Sequence, residues 1–438
     1  MISAIHKFEI NPIQRSVNGV YSTKGGGNVL TFSLGATEQY LLPKSVHLNM
    51  RVRLRNGNGD RPANVPAQAI TVDSRVSTIS LIDRIMINTK DNRNLETARF
   101  MGRLASSVLP ATKSFDDYTT YLSNLYGSVA NSKAQDRIAN RDLLVTHPLS
   151  MLGTFSGTPI PLSAVNGING IEITLYLNSN PSCLFGTSAS ANGGSYFEIV
   201  ECSLTGTLAN VASGALPRID GWSFTNYQGF YNTMTQKDET LAINAALKGV
   251  VSQFSNVIPT ASLSNYSENE YNTPPLQNLN PAGTAYNVIA PVRNYDVLKN
   301  GVKYPLQFSQ NANNIISQNA AGSYADSGYF AERQRYFMDS IKRLNVLNNS
   351  LASPMSEALS SANPDDKINY QNYNDTVWGL GTTYDPLNVG ATADFSQQPF
   401  SHRIRSLLDG RGNISIYTWF YHKNKLMINK NSMPAVAN

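Results

Sequence analysis

Cysteine is nearly missing from this chain: two in 438 residues, Cys183 and Cys202. That excludes a disulfide framework and a Cys-rich metal site. Both thiols are expected to stay reduced, with Cys202 a small buried side chain in a strand-like run. Charge is scarce too, at 15% of residues, against about 25% in an average soluble domain. The formal net charge of +5 is spread along the chain, too thin for the basic surface of a nucleic-acid binder. No apolar run approaches the ~20 residues of a membrane span. The opening Met-Ile-Ser-Ala-Ile-His-Lys lacks the apolar core of a signal peptide, so synthesis in the cytosol is expected. No short-period repeat is present, which excludes solenoids and propellers.

Catalytic patterns are equally sparse. The five histidines, His6, His47, His147, His402 and His422, never stand at the i, i+4 spacing of a helical zinc site. There is no Gly-x-Ser-x-Gly elbow and no kinase signature set. Lys24-Gly25-Gly26-Gly27 lacks the second glycine and the Lys-Ser/Thr of a phosphate loop, so it reads as a turn. Asp116 and Asp117 are neighbours on an expected helix and point apart. Asp83, Asp142 and Asp394 each suit a turn, bulge or cap. No residue is therefore assigned to catalysis, to a cofactor or to a metal, and no enzymatic activity is expected.

What replaces the charge is Asn, Ser, Thr, Gln and Tyr, together with 30 Gly and 21 Pro. Such a surface fits a loop-rich β protein. Period-two alternation marks residues 45–55, where Val46, Leu48, Met50, Val52 and Leu54 alternate with His47, Asn49, Arg51, Arg53 and Arg55. The arginine face reads as solvated or as an interface in preference to a phosphate contact. Residues 28–34, 170–178 and 196–208 read as further strands. Residues 77–88 form another, with a phase slip at Ile82-Asp83-Arg84 that predicts a bulge.

Residues 92–108 read as a helix ended by Pro110, and 114–125 as a second helix. Residues 329–348 read as a third, with Phe330, Phe337, Ile341 and Leu344 on one side. Residues 240–258 are ambiguous between helix and strand. The C-terminal segments 402–408, 414–422 and 426–429, with turns at 409–413 and 423–425, read as a closing β-meander. Leu216-Pro217-Arg218 looks like a linker near the midpoint. The expectation is an all-β chain with minor helices: two tandem jelly-roll β-sandwiches, residues 28–212 and 213–438, meeting near 208–220. They follow an irregular arm, residues 1–27, and the second carries long loops at about 259–300 and 350–376.

Tyrosine, with 22 copies, is the over-used aromatic. Tyr266, Tyr271, Tyr286, Tyr370 and Tyr373 sit in expected loops without interleaved basic residues, which suits a subunit interface or a sugar site.

Several short landmarks resemble, in order, the double jelly-roll major capsid proteins of the Polinton-like virus, virophage and adintovirus group. They are Gly25-Gly26-Gly27-Asn28-Val29-Leu30-Thr31-Phe32, Tyr40-Leu41-Leu42-Pro43, Leu81-Ile82-Asp83-Arg84-Ile85 followed by Leu95-Glu96, and Ile160-Pro161-Leu162 followed by Gly170 to Leu177. Phe395-Ser396, Gly410 to Gly412, Ile416 to Phe420 and Lys425-Leu426-Met427-Ile428 complete the series.

The resemblance implies a virion structural protein. Homotrimers with a pseudo-hexagonal footprint would tile an icosahedral shell around a DNA genome, beside penton and minor capsid proteins. The arm, with His6, Lys7, Arg15 and Lys24 against Glu9, would face inward, toward a neighbouring subunit, packaged DNA or an internal membrane. Two other classes share the composition: a carbohydrate-binding or glycan-degrading β-sandwich, and a fibre or adhesin-like structural protein.

Overall fold

The computed structural model describes residues 2–14, 16, 19–25, 27–61, 70–71, 77–112, 142–178, 185–186, 194–212, 219–236, 238–260, 294–304, 310–311, 336–337, 339–341, 380–405, 413–428 and 436–437. The principal strands of the first half are β1 (Ile2–Ile10), β2 (Val29–Leu34), β3 (His47–Arg55), β4 (Ile82–Thr89), β5 (Asn94–Arg99), β6 (Leu143–Pro148), β7 (Ile171–Leu177) and β8 (Tyr196–Val211). Those of the second are β9 (Gly221–Met234), β10 (Asp238–Ile243), β11 (Val250–Pro259), β12 (Asn294–Lys299), β13 (Leu380–Thr383), β14 (Phe400–Arg405) and β15 (Ile414–Met427). One α-helix, α1 (Met101–Thr112), follows β5.

Three sheets carry the architecture. The first runs β6-β3-β8, continues through the short pairs Tyr40–Leu41 and Ile160–Pro161, and has β1 attached to β8. The second is long and common to both halves, in the order β13-β11-β15-β9-β5-β4-β7-β2. The third runs β10-β14-β12. The outer sheets each cover one end of the long sheet, so two sandwiches stand side by side. The long sheet crosses between them where β5 and β9 meet in one parallel pairing, Thr97 opposite Gln228.

Alternation is what builds the cores. Val46, Leu48, Met50, Val52 and Leu54 are all at most 3% exposed, so the expected face of β3 is the buried one. On β7, Ile171, Ile173, Leu175 and Leu177 are buried in the same way. A second cluster, including Leu241, Ile243, Tyr295, Val297, Phe400, Ile404, Ile416 and Phe420, fills the other sandwich. The bulge expected at residues 82–84 is present: Tyr176 pairs with Arg84 and Leu177 with Ile82, which leaves Asp83 as the extra residue.

Four expectations are corrected. Residues 92–108 are not one helix. A tight turn from Thr89 to Arg93, with Asn92 at φ 59°, sends the chain back as β5 against β4, and α1 begins only at Met101 and continues past Pro110. The arm is not irregular throughout: residues 2–10 form β1, in antiparallel register with β8 from Ile2–Val211 to Ile10–Leu204. Residues 240–258, left open between helix and strand, resolve into the two strands β10 and β11. The last part of the expected loop 259–300 is not loop: residues 294–299 form β12, paired with β14 in the third sheet.

The closing meander is also absent. β14 lies in the third sheet, whereas residues 414–427 form one uninterrupted strand paired along its length with β9. The polar run Lys423-Asn424-Lys425 needs no turn: it pairs residue by residue with Thr225–Ser223 of β9, with Lys423 and Lys425 exposed on one face and Asn424 partly covered on the other. Residues 336–337 and 339–341 are helical, with Phe337 and Ile341 buried. The expected linker 216–218, the helix 114–125, the turn 409–412 and the loop 350–376 lie outside the described residues, as does loop 259–300 over 261–293.

Candidate functional site

In a chain without an expected catalytic group, its surfaces and the seam between its sandwiches are the places to look. Lys7 lies exposed on β1. The His6 ring, also on β1, has Nε2 3.3 Å from the Asn210 amide nitrogen. Lys24 sits in a short 3-10 turn, its ammonium 4.4 Å from the centre of the Tyr196 ring. Arg15 lies outside the described residues. His6, Lys7 and Lys24 thus lie beside β8 in the first sandwich, against Leu208, Thr207 and Tyr196 respectively. The five tyrosines considered for an interface or sugar site all lie outside the described residues.

The arginine face of β3 carries an ion-pair ladder. Arg51 pairs with Glu201 at 2.8 Å and Arg55 with Glu198 at 3.0 Å, both across to β8. Arg53 grips Asp142 with two bonds of 2.8 Å, and Arg61 reaches the same carboxylate at 2.8 Å. Asp142 is therefore an ion-pair hub, not the plain turn or cap residue expected. The Arg53 hydrogen bond, ahead of the opposing effect of burial, holds its carboxyl below the usual range. Asp142→Asn is expected to cost about 1 kcal/mol, since pairs that keep some contact with solvent, as these do, are weak. The loss should shrink in 1 M salt, where screening acts over about 3 Å. Thermal melts at two salt concentrations measure it.

The histidines are dispersed, as read. His147 is buried with Nε2 2.6 Å from the Thr78 hydroxyl, and His402 is buried against the rings of Tyr295 and Phe400. His422 places Nδ1 2.8 Å from the Lys248 carbonyl, and His47 places Nδ1 2.9 Å from the Ser45 carbonyl. Among the described residues no three His, Cys, Asp or Glu side chains come together to hold a metal. Cys202 is buried, which pushes its thiol up to about 12. Asp394 accepts the Ser396 N–H, the cap expected of it.

The seam holds the most concentrated polar chemistry. Glu96, on β5, is fully buried. Its Oε1 accepts the N–H groups of Gly153 (3.1 Å) and Tyr227 (3.0 Å), and its Oε2 accepts that of Thr154 (2.9 Å). Desolvation raises its pKa and the three N–H donors counter that rise. Around it the Thr225 hydroxyl donates to the Gly153 carbonyl, Asn226 to Leu95, and the Trp419 indole to Arg99. Tyr421 donates to Thr225 and also lies 3.2 Å from Ser156. In the sequence, Leu95-Glu96 stands out only as a landmark. A lone acid beside a leucine carries no sign that three distant N–H groups will converge on it.

Two sandwiches joined by a common sheet over one chain define the double jelly-roll fold. It is the fold found in viral major capsid structures. The cryo-EM structure of the Sputnik virophage aligns over 100% of this chain and 88% of its own, at 8% identity and TM-score 0.55. PBCV-1 VP54, fitted into a Sputnik reconstruction, aligns over 99% and 97%, at 11% identity and TM-score 0.58. The Faustovirus major capsid protein aligns over 98% and 91%, at 10% identity and TM-score 0.57. No family model and no curated protein matches the sequence. The resemblance read from the short landmarks thus holds at the level of the fold.

Proposed function

We propose that this chain is a viral major capsid protein and acts as a virion structural component without enzymatic activity. The observation that carries the reading is the whole-chain alignment with capsid structures, in which both sandwiches of this chain are used and nearly all of each partner is covered. On this reading residues 28–212 and 213–438 are the two jelly rolls. Three copies supply six sandwiches, which gives a pseudo-hexagonal capsomer able to tile an icosahedral shell around a DNA genome. Its partners are further copies of itself, penton and minor capsid proteins, and packaged DNA or an internal membrane through the basic N-terminal residues. A surface with few charges suits contact between identical neighbours, because there is little like-charge repulsion to overcome.

Native mass measurement tests the first step. A homotrimer at micromolar concentration is expected, with an interface in the obligate class, above about 2,000 Å². Electron microscopy of the same material should show trimers or shells. A stable monomer in both would remove the capsid reading.

A further inference from the structure

The two sandwiches are joined by far more than chain connectivity. Jelly rolls of this size carry their own cores and could in principle behave as separate domains. Here the first cluster of buried residues takes in Trp222, Phe224, Tyr227, Phe254, Trp419 and Tyr421 from the second half. At its centre one carboxylate is shared by three backbone donors, two from the segment after β6 and one from β9. We propose that Glu96 is an internal clasp: its carboxylate fastens β9 to β5 and to the 153–154 turn, and so fixes the angle between the two sandwiches.

Three further observations converge on the same place. Gly153 is pressed so closely on β9 that an added Cβ would lie 2.7 Å from the Asn226 Cα and from the Thr225 carbonyl oxygen. Phe100, which follows β5, adopts φ 58°, a left-handed conformation that a bulky residue holds only where its surroundings fix it. Its ring lies 5.0 Å from that of Tyr417 and 6.3 Å from that of Tyr231, both in the second half. Meanwhile, among the described residues, the sheet pairing across the seam is the single pair Thr97 and Gln228. The backbone ladder therefore contributes little there, and the side-chain contacts must hold the angle. A buried carboxylate accepting three N–H bonds suits that task, since charge-assisted bonds are short and directional.

The inference goes beyond a role in a capsid and needs no shell to test it. Calorimetry on the full chain should show one unfolding transition for the native sequence. Glu96→Ala, which removes both acceptor oxygens and with them all three hydrogen bonds, should split it into two. Glu96→Gln keeps one acceptor oxygen and sets an amide NH₂ against the Thr154 N–H. It should lower and broaden the transition, and it decides the matter if the alanine variant does not fold. Gly153→Ala wedges the seam without removing a polar group and should also split the transition. Leu48→Ala, in the first core away from the seam, should lower the melting temperature and leave a single transition. The clasp is overturned if the native chain already melts in two steps, or if the Glu96 and Gly153 variants behave like Leu48→Ala.

Discussion

Lowering the pH from 7 to 5 is expected to strip about 4 kcal/mol from the folding stability of this protein. The loss comes from His147 and His402. Burial holds their imidazoles down to about 3 and about 4, from an ordinary value of 6.5. The sign follows from proton binding. Below 6.5 the unfolded chain takes up a proton at each ring, while the folded chain stays neutral until the lower value is reached. The unfolded state therefore gains stability as pH falls. Native stability is complete above 6.5, declines below it, and levels off below about 4 for His402 and about 3 for His147. At pH 5 each ring has moved about 1.5 units into that window, at about 1.4 kcal/mol per unit. His422, whose pKa burial also lowers, adds to the loss. Glu96 acts in the opposite sense, because a raised carboxyl favours the folded state as pH falls.

His402→Phe separates the contributions. Among the described residues neither ring nitrogen of His402 meets a partner, and the ring lies 5.9 Å from that of Tyr295 and 5.6 Å from that of Phe400. Replacing it by a purely apolar ring removes two unsatisfied nitrogens. About 1 kcal/mol of added stability at pH 7 is expected. About half of the acid loss that His147 and His402 share should vanish in the same variant. Urea titrations at pH 7, 6 and 5 measure both effects. A native chain equally stable at pH 7 and 5 would show that these rings are protonated or solvated in the folded protein.

How far the sequence reports the structure depends on how local the cause is. β3 and β7 were legible because burial on one face imposes period two on a single stretch of chain. The Asp83 bulge was legible for the same reason: one extra residue shifts the phase visibly. The turn at residues 89–93 was missed because Lys90, Asp91 and Arg93 resemble the polar face of a helix as readily as a turn. Apolar residues such as Leu95, on β5, and Met101, on α1, then lie at a spacing that a single helix would also give. Lys423-Asn424-Lys425 misled in the opposite direction, with a polar run inside a strand whose partner, β9, lies about two hundred positions away. Ladder and clasp were illegible on principle. Asp142 meets Arg53 across 89 positions, and Glu96 meets Tyr227 across 131. Nothing local records either meeting.

Deleting residues 2–10 is expected to damage the fold itself, not merely an assembly contact. An irregular arm could be removed with both sandwiches intact. β1 cannot, because it pairs with β8 over eight residue positions. Phe8 and Ile10 also pack on the first core, and the Phe8 ring lies against Gly206 so closely that a Cβ there would stand 2.6 Å from it. The ladder bonds each contribute about 0.5–1 kcal/mol net. With the lost packing of Phe8 and Ile10, the loss comes to several kcal/mol. The deletion would also leave residues 204–211 of β8 without the strand that covers them, and an exposed edge of that length invites aggregation. The expected result is a markedly lower melting temperature together with aggregation on concentration. Substituting His6 and Lys7 by Ser removes the basic charge from β1 and keeps the strand, so it should leave the melting temperature nearly unchanged. If particles still form from that variant, the charge of β1 has no part in assembly. If the deletion melts like the native chain and only particles are lost, β1 belongs to the contact between subunits and contributes little to the sandwich beneath it.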